Sequence, residues 1–141
     1  MDKAKRPRVV DGLAIQVITG CGKAYIIPTY IDGKLFECFM HLGKAGGCAI
    51  AQGEALLRSI SIGLRYGIPV EEYTDQLREI RCPSPAWDNG KQVRSCPDAI
   101  AQVLLEYATK PGLVTTSETE EEAAKSVQQL SEERERTGLN G

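Results

Sequence analysis

Apolar and polar residues alternate along most of the first 40 positions, and this period of two is typical of half-buried β-strands. The alternation marks three segments, residues 13–19, 23–30 and 34–40. Pro28 predicts an edge position for the second segment, because proline cannot donate a hydrogen bond to a neighbouring strand. Asp32 and Gly33 form a strong hairpin signal between the second and third segments. The pattern therefore predicts a three-stranded antiparallel meander.

Beyond the glycine-rich segment at 43–47, the apolar residues recur at the spacing of amphipathic helices. Predicted helices cover residues 49–66, begin again at Pro69, and run from Ser95 to near Thr109. Ser95 is the predicted N-cap of the last helix, and Asp98 places a carboxylate in its first turn. Residues 82–94 contain proline and glycine and predict a polar loop. Together these elements predict an α+β fold, a small antiparallel β-meander covered by about three helices.

The amphipathic pattern weakens after residue 112, where the composition also changes. Residues 113–141 hold seven acidic and three basic residues, and their apolar stripe is thin. Ser117 and Glu120 resemble a capping box, so this segment predicts an extra C-terminal helix or tail that is weakly docked or disordered. We therefore predict one domain over residues 8–112, an acidic tail over 113–141, and a basic, frayed segment at residues 1–8.

Charge and targeting signals narrow the class of protein. The 141 residues have a formal net charge of −2, so no global positive field indicates a DNA-wrapping surface. The charged N-terminus, MDKAKRPR, lacks the apolar core of a signal peptide, and no apolar run is long enough to span a membrane. Five cysteines without a secretory signal predict a reducing compartment, and we expect a cytoplasmic protein with no membrane contact.

Four of the five cysteines stand in turn-like contexts at the ends of predicted elements: Cys21, Cys48, Cys82 and Cys96. Such positions can converge in space, and four thiolates would suit a structural zinc ion, which prefers closed tetrahedral sites. No CxxC pair is present, so the convergence would have to come from tertiary structure. The alternative is that these cysteines are small buried apolar residues, which is what we expect for mid-strand Cys38.

The GKAGG segment at residues 43–47 joins the last predicted strand to the first predicted helix. Glycines allow close backbone approach and a lysine adds positive charge, so the segment predicts phosphate contacts through Lys44, Gly46 and Gly47. It lacks the Walker spacing, and a tight strand-to-helix turn explains the glycines equally well. Arg58 shares a helical face with Arg65 and could extend a basic rim, although surface solvation is the simpler explanation.

Trp87, the only tryptophan, falls in the polar segment together with Asn89 and Arg94. An aromatic ring beside an amide and a guanidinium predicts stacking and hydrogen bonding with a nucleotide. The alternative is that Trp87 lies on the core as a lid. The single histidine has no evident catalytic partner, so the sequence predicts binding rather than catalysis, with no organic cofactor.

Several motifs, in order, resemble one known family. RSCPDAIAQVL resembles the name motif of the TSCPD domain, and TGCGKAYI, FECFMHLGKAGGC, EALLRSISIGLRYGIPVEE and DQLREIRCPSP resemble further segments of that domain. The resemblance extends from Arg8 to Thr109 and includes the four turn-placed cysteines, which strengthens the zinc hypothesis. Arg94 stands where the name motif has threonine, and this departure suggests anion binding.

The resemblance implies an accessory role. The TSCPD domain is found at the C-terminal end of adenosylcobalamin-dependent, class II ribonucleotide reductases and in small free-standing proteins. The radical chemistry of those enzymes belongs to a large barrel that this chain is too short to contain. The first hypothesis is therefore a non-catalytic module that binds a reductase large subunit, a nucleotide or a nucleic acid. Alternatives are a phage-type protein that sequesters cyclic nucleotide immune signals and a zinc-stapled protein-interaction module; we expect a homo-oligomer.

Overall fold

A computed structural model describes residues 2–43, 47–111 and 132. The chain divides into two units, Met1–Lys110 and Pro111–Gly141. The predicted acidic tail at 113–141 lies outside the described residues apart from Glu132, and so do Lys44 and Gly46 of the GKAGG segment. Both candidate sites described below belong to the first unit.

Four antiparallel strands form the sheet of the first unit: β1 (Asp11–Gly12), β2 (Ile15–Thr19), β3 (Gly22–Ile31) and β4 (Lys34–Leu42). β3 is central, with β4 on one side and both β1 and β2 on the other. Asp32 and Gly33 close the β3–β4 hairpin with φ values of 52° and 77°, as a left-handed two-residue turn requires. The predicted antiparallel meander and its hairpin are confirmed.

Pro28 lies in the central strand, so the prediction that it marks an edge strand is wrong. Pro28 is paired with Cys38 of β4, and its carbonyl accepts a hydrogen bond from the backbone N–H of Leu13 at 3.1 Å. β1 and β2 pair with β3 on either side of this position but not at it. Proline is tolerated here because the neighbouring chain is interrupted where a ladder hydrogen bond would otherwise be needed.

Three helices pack with the sheet around one core: α1 (Cys48–Arg65), α2 (Val70–Leu77) and α3 (Cys96–Glu106). Ile26 of the sheet and Leu57 and Ile100 of the helices are no more than 2% exposed. Burying a side chain of this kind is worth about 1.5–3 kcal/mol relative to leaving it in water. The α+β fold is confirmed. Among the described residues, no helix combines the length and hydropathy that crossing a membrane requires.

The start of α3 follows the predicted capping pattern. The hydroxyl of Ser95 accepts the backbone N–H of Asp98 at 3.0 Å, which satisfies one of the first-turn amides that have no partner within the helix. Pro97 occupies the first turn, where the missing proline N–H costs no helical hydrogen bond. The predicted N-cap is confirmed, and the helix begins one residue later, at Cys96.

A two-stranded hairpin lies within residues 82–94, where the sequence predicted only a loop. It consists of β5 (Ala86–Asp88) and β6 (Lys91–Val93), paired antiparallel. Asn89 and Gly90 make the turn with φ values of 50° and 82°. Asn-Gly is a strong signal for this kind of turn, so the sequence contained the information that the loop prediction missed. The hairpin places Trp87 directly opposite Gln92.

The N-terminal segment is bonded to α1 and to the sheet. The backbone N–H of Ala4 donates to the carbonyl of Arg65 at 2.9 Å, and the Arg65 guanidinium donates back to the Ala4 carbonyl at 2.9 and 3.0 Å. Arg6 forms an ion pair with the largely buried carboxylate of Glu37 at 2.8 Å. The prediction of a frayed segment is therefore wrong for residues 4–6.

Candidate functional site

Three cysteines from three separate segments line one cavity of about 390 Å³. Cys21 lies in the β2–β3 turn, Cys82 lies in the loop after α2, and Cys96 is the first residue of α3. The remaining wall of the cavity is mostly apolar and includes side chains from all three helices. We call Cys21, Cys82 and Cys96 the thiol cluster. The tertiary structure thus brings these three residues to one cavity, which their spacing in the sequence could not show.

A close contact between two backbone segments brings Cys21 near Cys82. Gly20 lies directly against Ser84, and a methyl group added at Gly20 would overlap the Ser84 carbonyl. The hydroxyl of Thr19 stabilises the same turn by accepting the backbone N–H of Cys21 at 3.2 Å. The turn approaches the Cys82 loop this closely because position 20 has no side chain.

A buried carboxylate fixes the segments that lead to Cys82 and Cys96. Asp98 is 1% exposed and accepts the backbone N–H groups of Glu79 at 2.7 Å and Arg94 at 2.9 Å. These two residues precede Cys82 and Cys96 by three and two positions, respectively. Sequence reasoning identified Asp98 only as a first-turn carboxylate. Its second role depends on a contact with the end of α2 that the SCPD motif alone does not reveal.

The environment of Cys96 raises the pKa of its thiol. Burial raises the pKa of the Cys96 thiol, and the neighbouring Cys21 thiol raises it further, while a hydrogen bond with Thr19 acts in the opposite direction. Cys82 adds a smaller effect that also raises this pKa.

Neither Cys38 nor Cys48 lines the thiol-cluster cavity. Cys38 is fully buried in the core, as predicted, and burial raises the pKa of its thiol to about 12. Cys48 is the exposed first residue of α1, and the adjacent Ala49 lines the thiol-cluster cavity. Within residues 2–43, 47–111 and 132, no three His, Cys, Asp or Glu side chains are already gathered as a metal site.

A second cleft, of about 660 Å³, lies beside the β5–β6 hairpin, and we call it the hairpin cleft. Its lining includes Trp87, Lys91, Arg94, Leu105 and Glu106. Trp87 is 68% exposed, so the alternative that it is a lid on the core is wrong. Neither Lys91 nor Arg94 forms an ion pair with another described residue. Sequence reasoning missed Lys91 and Leu105, because the loop prediction gave no indication of which side chains share a surface with Trp87.

The other predicted ligand-binding residues lie elsewhere. Arg58 pairs with Glu54 at 2.8 Å and lines a groove between α1 and β4. Asn89 lines a third cavity, between β2, the hairpin turn and α3. Gly47 is the N-cap of α1 with a φ of 79°, a left-handed conformation that favours glycine. The structure therefore brings Trp87 and Arg94 together but places Arg58, Asn89 and Gly47 outside the hairpin cleft.

Comparison with known proteins assigns most of the chain to a family. The model of the TSCPD domain matches residues 2–108, and the chain therefore belongs to the TSCPD domain family. The expectation drawn from the RSCPD motif and its companions is confirmed.

The curated relatives are enzymes. The chain is similar to the Vitamin B12-dependent ribonucleotide reductase of Streptomyces avermitilis, with 24% identity over 106 residues, which are 74% of this chain and 10% of the reductase. It is also similar to the enzyme of the same name from Bradyrhizobium diazoefficiens, with 31% identity over 75 residues, 52% of this chain and 6% of the reductase. The chain thus spans a tenth or less of these two relatives. No solved structure matches it.

Proposed function

We propose that this chain is a non-catalytic accessory module of nucleotide reduction and that it binds a nucleotide in the hairpin cleft. Its family membership, and its likeness to a small part of B12-dependent reductases, support the accessory role. The ligand class rests on one observation. The exposed indole of Trp87 stands beside two cations, Lys91 and Arg94, that form no ion pair within the described part of the chain.

The chemistry of these groups favours a ligand with both an aromatic ring and a phosphate. A flat, exposed indole can stack on a nucleobase, a contact worth about 1–3 kcal/mol per base. The Arg94 guanidinium can bind two phosphate oxygens at once, and Lys91 adds a second positive charge. Among the described residues that line the cleft, Glu106 is the one acid. Two cations and one acid leave a net positive charge for an anionic ligand.

The hairpin holds Trp87 on a fixed support. Gln92, directly opposite Trp87, accepts a hydrogen bond at its carbonyl from the side-chain amide of Gln102 at 3.0 Å. The same amide donates to the Asp98 carboxylate at 3.0 Å, so β6 is tied to α3. Because the support is ordered before a ligand arrives, little conformational entropy remains to be lost when the ligand binds.

Calorimetric titration of the full chain with ATP, dATP, AMP and a cyclic dinucleotide tests the ligand. We expect at least one to bind, with Trp87→Ala and Arg94→Ala each weakening the Kd by about tenfold, as loss of one stack or one charge-assisted contact implies. Arg58→Ala is the matched control, because this arginine is paired with Glu54 outside the cleft. Absence of binding at millimolar nucleotide, or an equal loss in Arg58→Ala, would overturn the proposal.

The same titrations separate an accessory role from sequestration. A module of nucleotide reduction is expected to bind mononucleotides, and to co-purify with a reductase large subunit when the two are expressed together. A protein that sequesters immune signals would instead bind the cyclic dinucleotide far more tightly than ATP or dATP. That second pattern, without reductase co-purification, would refute the accessory role while retaining the hairpin cleft as a nucleotide site.

A further inference from the structure

We propose that the thiol cluster binds one zinc ion, with Cys21, Cys82 and Cys96 as ligands and Cys48 as the fourth. This inference is independent of the nucleotide proposal, because it rests on a different cavity and on different side chains. It assigns the cluster a structural role: one ion would join the β2–β3 turn, the loop after α2 and the starts of two helices.

The donor chemistry of the cluster selects the class of metal. Thiolate sulfur is a soft ligand, and a set of cysteines suits zinc, whereas magnesium and calcium require oxygen ligands. The surrounding wall is mostly apolar, so water competes weakly for the ion. Zinc sites with a structural role are four-coordinate and closed, which three thiols and one further cysteine can satisfy. Each thiol that binds loses its proton to solvent, so binding releases protons.

Three local features would stabilise the thiolates once a metal ion has displaced the thiol protons. The backbone N–H of Ser84 donates to the sulfur of Cys82 at 3.4 Å, and such a bond is stronger when the acceptor is negatively charged. Hydrogen bonds from backbone amides to metal-bound sulfur are a common outer-shell feature of these sites. Cys96 and Cys48 are the first residues of α3 and α1, where the helix dipole stabilises negative charge.

The position of Cys48 explains its assignment as the fourth ligand. Its neighbour Ala49 is part of the cavity wall, and Cys48 itself is exposed rather than packed in the core. In the described part of the chain, no three His, Cys, Asp or Glu side chains stand close enough together to hold a metal ion as they are. Zinc binding must therefore draw the side chains together, and the resulting links would stabilise segments that otherwise depend on the contacts of Gly20 and Asp98.

Metal analysis and cobalt substitution of the full chain test the proposal. After purification under reductant we expect about one zinc per chain, and removal by a chelator should lower the Tm. Cobalt(II) added to the metal-free protein should produce thiolate-to-cobalt charge-transfer absorption. Metal-free protein with an unchanged Tm, combined with no charge-transfer band, would overturn the site. The cobalt titration uses the unaltered chain, so it remains decisive even where a variant fails to fold.

Serine variants identify the ligands. Loss of a residue that only hydrogen-bonds to a metal ligand weakens metal affinity by roughly 10–100-fold. Loss of a ligand itself should weaken zinc affinity by more than this in each of three variants: Cys21→Ser, Cys82→Ser and Cys96→Ser. Cys38→Ala is the matched control, since this cysteine is buried in the core and should leave the affinity unchanged. Unchanged affinity in Cys48→Ser would overturn its assignment as the fourth ligand. Trp87→Ala should bind zinc normally, which distinguishes this test from that of the nucleotide proposal.

Discussion

The hydroxyl oxygen of Ser61 in α1 lies 3.0 Å from both the backbone nitrogen and the backbone oxygen of Cys38 in β4. It accepts the N–H and donates to the carbonyl, so one side chain satisfies two buried backbone groups. Apart from an isolated bridge at Lys34, β4 pairs with β3 alone among the described strands. Ser61 therefore takes the place of a neighbouring strand at this point and protects the edge from pairing with another chain.

Replacing Ser61 by alanine should destabilise the fold and expose this edge. Two buried backbone groups would lose their partner, which costs about 1–3 kcal/mol per unsatisfied group. Urea unfolding should show a lower midpoint with an unchanged slope, and the variant should aggregate more readily on heating. Ser59→Ala is the control on the same helix, because the Ser59 hydroxyl is exposed and bonds only the carbonyl of Ala55. Equal effects in the two variants would refute this account of the edge.

Asp98→Asn should destabilise the fold far more than the same substitution at an exposed aspartate. The carboxylate accepts two backbone N–H groups and the amide of Gln102, and an asparagine NH₂ group would face one of these donors instead of accepting from it. Loss of a buried charge-assisted hydrogen bond should lower the free energy of unfolding by about 2–3 kcal/mol. Asp75→Asn, at an exposed ion pair with Arg78, should change it by less than about 1 kcal/mol.

Hydrogen exchange offers an independent check on Asp98. If the carboxylate positions the segments before Cys82 and Cys96, the amides of Glu79 and Arg94 should lose protection in Asp98→Asn even where the fold remains intact. Retained protection at both amides would show that other contacts hold these segments.

Gly20→Ala should separate the two segments that bring Cys21 near Cys82. The added methyl group would overlap the Ser84 carbonyl, and because this neighbour is backbone rather than a flexible side chain, the loop must move. We expect a loss of about 1–3 kcal/mol in stability and weaker zinc binding. Gly43→Ala is the control, since an added methyl group there meets only the Lys23 carbonyl at an ordinary 3.4 Å. Normal zinc affinity in Gly20→Ala would contradict the role given to this contact.

Stability should fall as the pH rises above about 9, because of Cys38. Burial raises the pKa of its thiol to about 12 from an ordinary value of 9.0, so above pH 9 the unfolded chain loses a proton that the folded state keeps. The free energy of unfolding therefore keeps the full contribution of the protonated Cys38 thiol below pH 9. Between pH 9 and pH 12 it declines by up to about 1.4 kcal/mol per pH unit. Tyr30, whose pKa burial also raises to about 12, acts in the same direction above pH 10.

Urea unfolding of metal-free, reduced protein between about pH 9 and 10 measures this slope. Cys38→Ala should make the decline shallower, because the titrating group is gone. Val17→Ala is the control: it truncates another buried core residue without removing a titrating group, so it should lower stability at every pH and leave the slope unchanged. An unaltered slope in Cys38→Ala would show that other groups cause the alkaline loss.

Local signals in the sequence predicted most of the elements. The alternation before residue 43, the Asp32–Gly33 turn and the Ser95 cap are all properties of neighbouring residues, and each appears where it was expected. The missed hairpin at Asn89–Gly90 had an equally local signal. The misplacement of Pro28 has a different cause: whether a strand is central depends on which segments pair with it, and this is a long-range choice.

The candidate sites were less predictable. Trp87 and Arg94 share a cleft because strand pairing and α3 fix them, whereas Arg58, also a candidate in the sequence, pairs with Glu54 elsewhere. Residue type alone identified which side chains have suitable chemistry, but a ligand requires several of them at one place. That placement is determined by packing between segments far apart in the chain.

The sequence by itself determined the alternating and helical segments, the turns, the family motif and the four turn-placed cysteines, because these depend on residues close together along the chain. Only the tertiary structure decided that β3 is central, that Ser61 satisfies the edge of β4, and that Asp98 joins the end of α2 to the start of α3. Cys21, Cys82 and Cys96 lie 61 and 14 residues apart in sequence, and only packing brings them to one cavity. Such contacts form when distant segments bury apolar surface together, and no short stretch of sequence records which segments will do so.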